Sequence, residues 1–110
     1  MYSITKIIIA VGALVAPTLA FSGDMTYYYP GLGACGRTNS DADAVVAMSP
    51  NQYGHCGQKI NIHYNGKTAS ATVVDKCPGC AGDSIDVSPS VFQKLSPLSA
   101  GRVKVTWSYA

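Results

Sequence analysis

The chain has 110 residues and a formal net charge of +2, with eight basic residues set against six aspartates and no glutamate. Only 13% of its residues are charged and no basic block occurs, which argues against nucleic acid or an anionic membrane as partner. Eleven glycines, seven tyrosines and many serines, threonines and asparagines point instead to a β-rich domain facing a neutral, polar ligand.

Residues 1–20 read as a secretory signal peptide. Lys6 supplies a positive start, and Ile7 to Leu19 form an apolar stretch broken by Gly12, Pro17 and Thr18. Thr18-Leu19-Ala20 then offers the small residues that precede cleavage. The stretch falls short of the roughly 20 apolar residues of a membrane span. The expected mature domain is residues 21–110, secreted and extracellular, with a charge of +1 once Lys6 is removed (+2 − 1). That length suits one domain with one core.

Gly23 to Tyr29 is rich in aromatic residues and stops at Pro30-Gly31, a strand followed by a turn. Ala44 to Met48 is a short apolar run between Asp43 and Ser49-Pro50, read as a buried strand, and Pro50 is suited to open a helical turn. Lys59 to Tyr64 alternates, with Ile60, Ile62 and Tyr64 on one face. Asn65-Gly66 is a strong hairpin signal because both residues tolerate positive φ, so Lys67 to Asp75 is the return strand. Ser84 to Val87 is a further short strand. Ser88-Pro89 reads as N-cap and first helical residue of a two-turn helix with Val91, Phe92 and Leu95 inward. Gly101 to Tyr109 closes the chain, with Val103, Val105 and Trp107 alternating inward. Six short strands and one short helix fit a small closed barrel, which leaves no bare strand edges.

Cys35, Cys56, Cys77 and Cys80 are the only cysteines. In an exported small domain they read as two disulfides, with three connectivities open. Cys77-Pro78-Gly79-Cys80 also fits a redox C-x-x-C motif, but no βαβ pattern surrounds it. No metal or other cofactor is expected. His55 and His63 lack ligand spacing, and turn chemistry explains Asp41 and Asp43.

The densest chemistry lies between Val73 and Pro89, where Asp75 and Asp86 each follow apolar, strand-like residues on either side of the cysteine-bounded loop. A plain structural role is open to each. Asp86 could cap the helix beginning at Ser88 or pair with Lys76; Asp75 could bond to the loop. Alternation places Asp24, Thr26 and Tyr28 on one face of the first strand, with Tyr27 and Tyr29 on the other.

Gly23 to Tyr28, Gly33-Ala34-Cys35-Gly36, Val45 to Ser49, Val74 to Cys80 and Ile85 to Ser88 together resemble the double-psi β-barrel domain. Expansins, barwin-like proteins, family 45 endoglucanases and rare lipoprotein A share that domain. The likeness is collinear over the whole mature chain and is strongest to loosenins, fungal single-domain expansin-related proteins. It implies a six-stranded all-β double-psi barrel with one or two short helices, stapled by two disulfides. It also implies a sugar groove lined by Thr26, Asp75 and Asp86, with Asp86 at the position of the general acid of the family 45 hydrolases. The catalytic base of those hydrolases is unmatched, since Thr26-Tyr27-Tyr28-Tyr29-Pro30 holds no acid; Asp24 is a weak substitute. The histidine of the lytic transglycosylases is unmatched too, at Met48-Ser49-Pro50. The resemblance therefore implies a monomeric protein that binds cellulose, chitin or another cell-wall glycan through Thr26, Tyr28 and Asp24 beside the two acids, and loosens it without efficient hydrolysis. Its alternatives are an inhibitor of papain-like cysteine proteases and a weak glycan-cleaving enzyme.

Overall fold

The computed structural model describes residues 19–110, so all but the last two residues of the expected leader lie outside the described range. The six strands are β1 (Phe21–Tyr27), β2 (Val45–Met48), β3 (Lys59–Tyr64), β4 (Lys67–Lys76), β5 (Ile85–Val87) and β6 (Val103–Tyr109). One helix, α1, covers Pro89–Leu95, and single 3-10 turns occupy Pro50–Gln52 and Leu98–Ala100. The strands close into a barrel in the order β1-β5-β2-β4-β3-β6. The expected all-β, six-stranded barrel is what forms.

Local chemistry explains the elements. Asn65 and Gly66 adopt φ of 48° and 78° and link β3 to β4 as a tight hairpin, as their tolerance of positive φ requires. Strand β1 starts two residues earlier than expected because Phe21 pairs with Trp107 across β6 and stacks on its indole at 4.5 Å. Pro89 opens α1, as expected. Ser88 precedes it without capping it; its hydroxyl instead accepts from the Val45 amide at 3.3 Å and so ties the helix entrance to β2.

Alternation carries the apolar residues inward. Met25, Val46, Met48, Ile60, Ile62, Ile85, Val87, Val105 and Trp107 form one core with Val91, Phe92 and Leu95 of α1. The helix lies against β4 and β1. Trp107 is fully buried, as alternation predicted, and its indole N–H donates to the Asp83 carbonyl at 2.9 Å. Ala69 and Ala71 on β4 leave room for it, since Ile62 pairs with both Trp107 and Ala69. This alternation of large and small residues fills a small barrel.

Two disulfides form, Cys35–Cys56 and Cys77–Cys80, which selects one of the three open connectivities. The first pins the loop after β1 to the segment leading into β3; the second closes a tight turn after β4. Their sequence separations are 21 and 3, and loop-closure entropy scales with that length, giving about 3 and about 1.5 kcal/mol. Replacing Cys35 and Cys56 by serine is therefore expected to lower unfolding stability about twice as much as replacing Cys77 and Cys80. Denaturant titration of the two double variants checks this.

Candidate functional site

Strand register builds a row of outward side chains. Thr26 pairs with Asp86 across β1 and β5, Asp86 with Ala47 across β5 and β2, and Ala47 with Asp75 across β2 and β4. Their neighbours Met25, Ile85, Val87, Val46 and Met48 point into the core, so these four share the outer face. At about 4.8 Å per strand the row spans roughly 14 Å. The structure thus brings together the three residues Thr26, Asp75 and Asp86.

A bulge completes the row. Register shifts between Val46 and Ala47, so that Val46 opposes Val73 while Ala47 opposes Asp75. Val74 is the extra residue. With regular pairing in place of the bulge, Val74 would oppose Ala47, and an apolar side chain would stand where the carboxylate stands.

Each acid is held differently. Asp86 Oδ1 accepts the Thr26 hydroxyl at 3.0 Å, and no other hydrogen bond engages its carboxylate among the described residues. It neither caps α1 nor pairs with Lys76, whose ammonium lies 4.8 Å from the centre of the Tyr53 ring. Burial pushes the Asp86 carboxyl above the ordinary range; the Thr26 hydroxyl and Arg102 charge oppose this, while Asp75 reinforces it. Asp75 Oδ1 accepts the Ala34 and Lys76 amides, both at 2.8 Å. Its main tether is therefore the Cys35 loop, not the Cys77–Cys80 loop. Gly33 makes that tether possible, because a Cβ there would run into the Val74 carbonyl and crowd Asp75. Cys35 donates its amide to the same carbonyl at 3.1 Å.

The three tyrosines separate as alternation requires. Tyr27 packs on Phe92 at 4.9 Å and donates its hydroxyl to the Leu98 carbonyl, while Tyr29 stands 68% exposed. Tyr28 is half-buried and its hydroxyl has no hydrogen-bond partner in the protein. Burial, with the charges of Asp75 and Asp86, raises its pKa to about 12. The phenol stays protonated, with its hydroxyl shielded from solvent.

Asp24 lies on the same outer face, two residues before Thr26, and both its oxygens are engaged, by Arg102 at 3.1 Å and Lys104 at 3.0 Å. Sequence reading missed these two cations. The alternation of β6 was the available signal, since Val103 and Val105 inward put Lys104 outward. His55 stacks on Tyr109 at 4.5 Å and His63 bonds to Thr68 at 3.0 Å. Asp43 accepts the Ser40 amide and the Asn39 side-chain amide, as turn chemistry does. No cluster of three metal-ligating side chains occurs among the described residues.

The chain is 39% identical over 100 residues to the papain inhibitor of Streptomyces mobaraensis, covering 80% of this chain and 70% of that one. Its fold matches the solved Streptomyces papain inhibitor at a TM-score of 0.78, with 34% identity over 86% of this chain and 97% of that one. This chain belongs to that family of expansin-like double-psi β-barrels. An allergen homologue of Arthroderma benhamiae is 47% identical over 83 residues, a match that covers 67% of this chain and only 28% of that protein. The Clavibacter michiganensis expansin, solved with cellohexaose, shares the fold at a TM-score of 0.76 and 23% identity, over 84% of this chain and 50% of that one. No family model matches the sequence.

In this expansin-like barrel the site works against stability. An acid whose folded pKa is raised binds more protons folded than unfolded, so its contribution is favourable below the unfolded value of 3.8 and is lost as pH rises through the folded value. Asp86→Asn is therefore expected to unfold at a higher temperature than wild type at pH 7, with the difference closing below the ordinary carboxylate range. Tyr28→Phe is expected to melt at or above the wild-type temperature, because it deletes a buried hydroxyl without a protein partner. Calorimetry across pH measures both.

Proposed function

We propose that this protein is secreted, its mature domain starting near Phe21, and that it binds a cell-wall glycan along the Thr26–Asp86–Ala47–Asp75 row, loosening the wall without efficient hydrolysis. The observation that supports this most is the row itself: side-chain oxygens from three strands in one line, with the free edge of Asp86 and the Asp75 carboxylate as separate partners for sugar hydroxyls. Binding along the row competes with the glycan–glycan hydrogen bonds that hold a wall together.

Hydrolysis needs a base opposite the acid to activate water. Asp86, with its raised pKa, fits an acid. Asp75 is a poor base, because two backbone amides already occupy one of its oxygens and it follows Asp86 in the same row instead of facing it across the ligand. Asp24 is bound to two cations. Pull-down on insoluble cellulose, chitin and xylan tests the reading. Wild type is expected to be retained on at least one, and Asp86→Asn to bind about tenfold more weakly through loss of a charge-assisted hydrogen bond of about 1.5 kcal/mol. No soluble sugar should appear on long incubation. Release of sugar that Asp86→Asn abolishes would make the protein a hydrolase.

A second reading, inhibition of papain-like cysteine proteases, is favoured by the high coverage of the Streptomyces papain inhibitor. The loop after β1 suits it: Leu32 is 77% exposed beside Tyr29, on a segment pinned by Cys35–Cys56 and by Ala34 to Asp75. Such a loop binds with little ordering cost. Papain inhibition that survives Asp86→Asn and disappears in Leu32→Asp would select this reading.

A further inference from the structure

We propose that the groove continues past Thr26 onto a cationic platform, Arg102 with Lys104, which takes the carboxylate of an acidic glycan, a wall polysaccharide bearing uronic acid residues. This rests on the reading of the row as a glycan groove and names the class of chain the groove takes.

Geometry places the platform at the end of the row. Asp24 and Thr26 lie two residues apart on one face of β1, about 7 Å along the strand, and Lys104 pairs with Asp24 across β6. Arg102 follows Gly101, whose φ of 69° turns the chain out of the Leu98–Ala100 turn and toward β6. Thr26 pairs with Asp86 on one side of β1 and Asp24 with Lys104 on the other, so the platform adjoins the row.

Asp24 sits between the two cations and offsets one of their charges. One of its oxygens meets the Arg102 guanidinium at 3.1 Å and the other the Lys104 ammonium at 3.0 Å. The local balance is two positive charges against one negative. A guanidinium carries five N–H donors and an ammonium three, and each has one contact to Asp24. The rest face solvent: the Arg102 side chain is 65% exposed and that of Lys104 90%, while Asp24 is only 26% exposed. Guanidinium donors match a carboxylate in a two-pronged geometry. Beyond Lys104 the surface forms a recess lined by Ser22, His63, Tyr64, Asn65 and Thr106, with no carboxylate among its described lining residues. A chain leaving the platform in that direction meets hydroxyl, amide and imidazole groups and no negative charge. The bland alternative is an ordinary surface ion pair, worth about 0–1 kcal/mol to folding and nothing to a ligand.

Retention on immobilised polygalacturonate and on cellulose separates these. Wild type is expected to be held about fivefold more tightly on polygalacturonate, and to lose that preference in about 1 M sodium chloride, where screening shortens to about 3 Å. The double variant Arg102→Gln, Lys104→Gln should lose the preference while keeping wild-type retention on cellulose. Lys67→Gln with Lys94→Gln, which removes the same net charge elsewhere, should keep it. Asp24→Asn leaves the cations uncompensated and should raise polygalacturonate retention, opposite to what a direct ligand contact by Asp24 would give. Each variant is scored only with a wild-type melting profile; an Asp24→Asn protein that melts early is replaced by Asp24→Ser. Equal retention on the two matrices, or weaker polygalacturonate binding after loss of Asp24, overturns the platform. Cellulose binding without acidic preference sinks the platform alone. Polygalacturonate binding that Asp86→Asn leaves intact, with no binding of cellulose, chitin or xylan by any variant, sinks the groove reading and keeps the platform.

Discussion

The antiparallel pairing of Ala47 with Asp86, flanked by the parallel pairs β1–β5 and β2–β4, is the contact on which both core and site depend. Strand β2 has four residues and β5 three, so neither can slip by two without losing its partners. A slip of one would turn Asp86 inward and expose Ile85 and Val87. The apolar alternation that fills the barrel is therefore the same device that aligns Thr26, Asp86 and Asp75 outside it. Core packing and groove geometry are set by one register, and a change that loosens the first misaligns the second.

The site is electrostatically uneven, and the unevenness has a source. Burial raises both the Asp86 carboxyl and the Tyr28 phenol, and neighbouring carboxylates add to each. The half-buried Asp86 carboxylate disfavours the folded state at neutral pH, and the Cys35–Cys56 crosslink together with a core that includes Trp107 and Phe92 offsets it. Asp75 is fixed by amides, one of which the close approach of Gly33 brings into place. At the far end, Asp24 gathers the two cations Arg102 and Lys104.

The fold is common to a papain inhibitor and to an expansin solved with cellohexaose, so it does not itself choose between a glycan and a protein ligand. Two surfaces on this chain embody the two choices. One is the polar row, built from strands and shaped by register. The other is the crosslinked loop with Tyr29 and Leu32, built from irregular backbone and shaped by Cys35. Asp75 touches both, because the amide that binds it belongs to that loop.

Local chemistry in the chain was enough to determine the six strands, the Asn65-Gly66 hairpin, the Pro89 helix start and the inward side of Trp107, since period and turn propensity act over a few residues. The motif positions named Thr26, Asp75 and Asp86, and alternation placed Asp24 and Tyr28 beside Thr26. Disulfide pairing, the extra residue at Val74, the Ala34 amide on Asp75 and the Arg102–Asp24–Lys104 cluster came only with the closed barrel. Each joins residues that are distant in sequence or depends on which strand lies next to which. Short-range pattern carries no information about that; only burying one shared core decides it.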